Sequence, residues 1–72
     1  MKKITISTEY ITLGQFLKIA EIIQSGGRAK GYLLNRYAII NGEKENRRGR
    51  KLRGGDVIDL EGETYLIEDE SQ

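Results

Sequence analysis

Residues 12–23, TLGQFLKIAEII, dictate that this chain builds around an amphipathic helix. Thr12 and Gln15 stand at capping-box spacing, where each side chain can satisfy the other residue's free backbone N–H. Leu13, Phe16, Leu17, Ala20 and Ile23 then recur at helical spacing, with Gln15, Lys18 and Glu21 on the other side. Such a helix needs an apolar surface to lie on, and the flanking segments read as strands able to supply one. "KITIS" (residues 3–7) alternates apolar and polar. "YAIINGEKE" reads as a strand, an Asn-Gly pair suited to a type I′ turn, and a return strand. "DVIDL" and "ETYLIE" flank an Glu-Gly turn and form a second unit of the same kind, with Ile58, Leu60, Tyr65 and Ile67 alternating with their neighbours.

Between the helix and the first hairpin, "QSGG" interrupts the apolar spacing. Ser25 is placed to cap a second, shorter helix over residues 28–35, with Ala29, Tyr32 and Leu33 on its inner stripe. The order strand, helix, helix, strands predicts an α+β fold, with two helices packed on one face of a small, mostly antiparallel sheet. No linker or repeat divides the chain, so residues 1–72 are expected to form a single domain with its core over 12–67 and a frayed end at 68–72.

A domain of 72 residues must hold together without staples, because the chain has no cysteine and no histidine. That absence removes disulfides, the usual zinc ligands, the commonest general base and the thiolate nucleophile. No Gly-x-Ser-x-Gly elbow accompanies the serines, and Gly49, Gly54 and Gly55 lack the spacing and strand-to-helix context of a phosphate-cradling loop. The expectation is a protein that is not an enzyme and needs no cofactor or metal. No stretch has the length of a membrane span or the apolar core of a secretion signal, so a cytoplasmic location is expected.

The formal net charge of +1 conceals two opposed blocks. Residues 28–53 hold nine Lys or Arg against Glu43 and Glu45, whereas residues 56–72 hold seven Asp or Glu and no basic residue. Within the first block lies "NRRGRKLR", where Arg47, Arg48, Arg50, Lys51 and Arg53 flank Leu52, expected to turn inward. Guanidinium groups make forked hydrogen bonds to phosphate oxygens, so this run, joined by Arg28, Lys30 and Arg36, is the candidate surface for a polyanion. Ser25, Gly26 and Gly27 could add backbone N–H groups for a phosphate at the second helix start, beside their plainer role as a cap. Phe16 and Tyr32 belong to apolar stripes, while Tyr10 and Tyr37 could pack at the rim or stack on an unpaired base. Asp56, Asp59, Glu61 and Glu63 lack calcium-loop spacing and read as a solvated sheet face.

Three separated segments together resemble the RNA-binding domain of small-subunit ribosomal protein S-four, the αL motif, and most of all its small stand-alone bacterial members of the YaaA and YbcJ type. Ser25 and Ala29 hold the Ser and Ala places at the second helix start, and Tyr32 and Leu33 follow as its apolar pair. Ala38, Ile40, Asn41 and Gly42 match the hairpin signature, and Leu52, Gly55, Asp56 and Ile58 match the last segment. The chain departs from the pattern at Thr12 and Gly26, where many members carry basic residues, and at Arg36, where glycine is usual. The resemblance implies a non-catalytic module that contacts the phosphate backbone of structured RNA. It implies ribosomal RNA or a ribosomal-subunit assembly intermediate as partner, transfer RNA as a second option, and neither membrane nor small-molecule substrate. The competing reading is a protein-interaction adaptor whose basic face docks on an acidic partner.

Overall fold

Local sequence signals set most of the elements in the computed structural model, which describes residues 1–70. In chain order these are β1 (Lys2–Ile6), β2 (Ile11–Thr12), α1 (Leu13–Ile19), a 3₁₀ turn (Gly26–Arg28) and α2 (Ala29–Leu34). Then come β3 (Ala38–Ile40), β4 (Glu43–Glu45), β5 (Lys51–Leu52), β6 (Val57–Leu60) and β7 (Glu63–Asp69). Both two-residue turns have the positive φ pair of a type I′ hairpin: Asn41 at 52° with Gly42 at 87°, and Glu61 at 50° with Gly62 at 80°.

Five strands form one sheet in the order β1-β7-β6-β3-β4. All its pairs are antiparallel except β1 with β7, which run parallel with Lys2 opposite Tyr65 and Ile6 opposite Asp69. The inward residues are those that the alternation selects: Ala38 and Ile40, Ile58 and Leu60, Tyr65 and Ile67. Leu13, Phe16 and Leu17 of α1, with Ala29 and Leu33 of α2, complete the same buried cluster. Phe16 meets Tyr65 edge-on, ring centroids 5.0 Å apart and planes at 85°. This is an α+β fold with both helices on one sheet face. Removing a fully buried ring such as Phe16 from so small a core would cost about 3–5 kcal/mol. No helix among the described residues is long and apolar enough to cross a membrane.

The structure differs from expectation at four places. Helix α1 stops at Ile19 because Glu21 adopts a left-handed φ of 61°, Glu21 N–H donates to Lys18 O and Ile22 N–H to Leu17 O. That pair of bonds is a Schellman ending built on a residue other than glycine, and the turned chain still delivers Ile23 to the core. The second helix is entered through the 3₁₀ turn, and Ser25 makes no side-chain capping bond. β1 finds a parallel partner at the far end of the sequence. Finally, Glu68 and Asp69 are ordered within β7 instead of frayed, held by β1; Ser71 and Gln72 lie outside the described residues.

Candidate nucleic-acid interface

The basic run forms the connection between β4 and β5, and its backbone is bound to the start of α1. Ile11 pairs with Leu52 and Thr12 with Lys51, a two-stranded ladder separate from the main sheet. Leu52 is fully buried, as its place in the run suggested. Beyond the ladder, Leu13 N–H donates to Arg50 O at 2.8 Å and Gly14 N–H to Arg48 O at 2.9 Å. Gln15 N–H donates to Thr12 Oγ1 at 3.2 Å, and Thr12 N–H to Gln15 Oε1 at 2.8 Å. The expected capping box therefore forms, and together with the loop carbonyls it satisfies every donor that a helix start leaves without an intrahelical partner. The approach is close: a Cβ at Gly14 would lie 3.4 Å from both Ala29 Cβ and Arg48 O, which leaves room for little beyond a methyl group.

Glu45 holds the loop from its other side. The type I′ register sets Glu45 opposite Ala38, on the inward face, where it is only 8% exposed. Its Oε2 accepts from Arg47 N–H at 3.0 Å and Arg47 Nε at 2.9 Å; its Oε1 accepts from Arg47 Nη2 at 2.9 Å and Arg50 Nη1 at 3.4 Å. The hydrogen bonds from Arg47 outweigh the cost of burial and hold the carboxyl down at about 2. Sequence reasoning missed this residue. The signal was present in the hairpin register, since Glu45 shares a face with Ala38 and Ile40.

With its backbone held, the loop sends its cations into two hollows that share no residue. One, about 530 Å³, is lined by Arg47, Gly49, Arg50, Lys51, Arg53 and Asp56. The other, about 280 Å³, brings Arg48 and Asn46 of the loop to Lys30, Leu33 and Leu34 of α2. Arg48, Lys51, Arg53 and Lys30 are exposed; Arg47 is exposed but forked onto Glu45, and Arg50 is half-buried. Arg28 ends the 3₁₀ turn, and it and Arg36 are exposed without lining either hollow. Arg36 lies over the Tyr32 ring, 4.8 Å from its centroid. The Tyr32 hydroxyl itself is enclosed and unbonded, and burial, with Glu61 close by, pushes its ionisation up to about 12. Ser25, Gly26 and Gly27 are exposed, and no atom lies within 4 Å of a Cβ placed on either glycine.

The residues that carried the family resemblance brace this face without belonging to its cations. Asn41 Nδ2 donates to Asp56 Oδ1 at 3.0 Å, and Val57 N–H to Asn41 Oδ1 at 2.9 Å. The second Asp56 oxygen accepts from Arg53 N–H at 2.8 Å, which orients the backbone from which Arg53 projects. Asp59, Glu61 and Glu63 line neither basic hollow, whereas Asp56, of the same acidic block, lines the larger one. Among the described residues, no group of three or more Asp or Glu is arranged to hold a metal ion.

This geometry has relatives. A protein of Bacillus subtilis (strain 168) named "Probable ribosome maturation protein RlbA" is 59% identical over 59 residues, covering 82% of this chain and 83% of that one. The pattern described as "S4 domain" matches residues 4–68, from β1 to within β7. A match over nearly the whole described fold settles the family: the chain belongs to the S4 domain family.

Proposed function

We propose that this protein is a non-catalytic module that binds structured RNA by laying its phosphate backbone across the β4–β5 loop and α2. One observation carries the reading: the loop backbone is fixed to α1 and Glu45, while Arg48, Lys51, Arg53 and Lys30 stay exposed above it. A fixed backbone bearing exposed cations loses little freedom on binding, and forked guanidinium groups suit phosphate oxygens. Arg28 and Arg36 extend the face along α2. Arg47 and Arg50 serve it with whatever N–H donors Glu45 leaves them, and the N–H groups of residues 25–27 offer a further phosphate contact. Most of the affinity comes from charge and shape, with few contacts to base edges. The partner class is ribosomal RNA or a subunit assembly intermediate; the name of the Bacillus subtilis relative supports a role in ribosome maturation.

The test is a salt titration of binding to an RNA hairpin, a single-stranded RNA and a DNA duplex, followed by fluorescence anisotropy. If about five phosphates are neutralised, the log–log slope for the hairpin will be about −3.5 to −4.5. The Arg48→Ala/Lys51→Ala/Arg53→Ala variant will bind more weakly, with a slope shallower by about 2 to 3. Equal weak binding to all three polyanions, unchanged in the variant, would overturn the reading and favour an acidic protein partner.

A further inference from the structure

Tyr10 stands at a boundary between two kinds of surface. Lys51 Nζ lies 4.8 Å and Arg53 Cζ 5.5 Å from its ring centroid, and both cations line the larger basic hollow. The tyrosine itself lines a different hollow, about 860 Å³, between the β1–β2 connection and α1. Ile11 and Ile19 give that hollow apolar wall, and Ser7, Thr12 and Gln15 give it polar groups. Ile19 is 50% exposed and Tyr10 37%, so both side chains are open to a ligand in this hollow. Tyr10 is nevertheless held in place: Thr8 Oγ1 donates to its carbonyl at 2.8 Å, and the next residue, Ile11, is paired with Leu52.

We infer that this hollow takes a single unpaired nucleobase of the bound RNA, stacked against Tyr10, while the phosphate of the same nucleotide rests on Lys51 and Arg53. The inference rests on the RNA-binding reading and adds to it a structural feature of the RNA. A nucleotide carries an aromatic face and an anion close together, and here an aromatic wall adjoins two cations. A fully paired helix offers the anion without the base, because its bases are stacked inside. Lys51 belongs to β5 and Arg53 follows it, while Tyr10 directly precedes β2, so the β2–β5 ladder brings both cations beside the ring. Base stacking on an aromatic side chain tolerates any base, so the preference is for an unpaired nucleotide rather than for a sequence.

The experiment compares two RNA hairpins that differ only by one bulged nucleotide, replaced in a second preparation by 2-aminopurine. The wild-type protein will bind the bulged hairpin about tenfold more tightly, and the probe's fluorescence will be quenched on binding. Tyr10→Ala will remove both the difference and the quenching but leave affinity for the paired hairpin unchanged, which also reports an intact fold. Tyr10→Phe will retain the preference, and Ile19→Ser, in the lining of the same hollow, will weaken it. Equal wild-type affinity for the two hairpins, or a Tyr10→Ala loss of equal size on both, would overturn the inference. If the paired hairpin still binds with the steep salt dependence, the RNA-binding reading stands while this one falls. If neither hairpin binds, both fall together.

Discussion

The two helices begin in opposite ways, although both starts border the basic face. At α1 every free donor is used: two N–H groups go to the carbonyls of Arg50 and Arg48, and two enter the capping box of Thr12 and Gln15. At α2 the chain enters through the 3₁₀ turn, Ser25 caps nothing with its side chain, and Gly26 and Gly27 have open space around them. The contrast teaches that a helix start can brace a cationic loop by spending its donors on that loop's carbonyls. The positive end of α1 is directed at loop carbonyls. It thereby fixes where the cationic side chains emerge.

Variants can break that contrast, and the largest effect is expected where the anchored start is tightest. Gly14→Leu would drive a side chain into Ala29 and the Arg48 carbonyl, and should cost about 2–3 kcal/mol in urea unfolding, with loss of RNA binding. Glu45→Gln should cost about 2 kcal/mol at neutral pH, by removing the charge that holds Arg47 and Arg50. The sign of its pH dependence follows from a carboxyl lowered from 4.5 to about 2 by folding. The wild-type contribution is full above pH 4.5 and disappears as pH falls towards 2, so stability measured over that window should decline less steeply in the glutamine variant. Thr12→Ala should cost about 1 kcal/mol through the lost cap. Ser25→Ala should change stability by less than about 0.5 kcal/mol. A Ser25→Ala cost equal to that of Thr12→Ala, in the same urea measurement, would abolish the distinction between the two starts.

Much of this architecture was legible in short-range chemistry. Thr12 and Gln15 announce the helix start, Asn41 and Gly42 the turn, and strand alternation pairs Ile58 with Leu60 and Tyr65 with Ile67, the pairs that the structure turns inward. Leu52 was legible for the same reason, as a lone apolar residue in a charged run. What stayed hidden was set by distant partners. The β2–β5 ladder is two residues long on each side, too short to carry a period. The end of α1 lacked its usual marker because Glu21, not glycine, takes the left-handed position. Glu45 looks like a solvent residue in "EKE" until the hairpin register assigns it to the face of Ala38. Among the candidate cations, composition named the set but gave no means to divide it between Glu45, the aromatic rings and the open hollows.

The parallel ladder between β1 and β7 has a kinetic meaning as well. It joins Lys2 to Tyr65, whereas both hairpins close through two-residue turns. Short loops close early and long ones late, because the entropy lost grows with the length of chain enclosed. Strand β1 is thus expected to dock last, onto a sheet otherwise assembled. Ile4→Ala should then speed unfolding and leave the refolding rate nearly unchanged, as a chevron plot would show. Until β1 arrives, β7 presents an open edge that carries Tyr65 and Ile67. During that interval the chain is most exposed to pairing with another copy of itself.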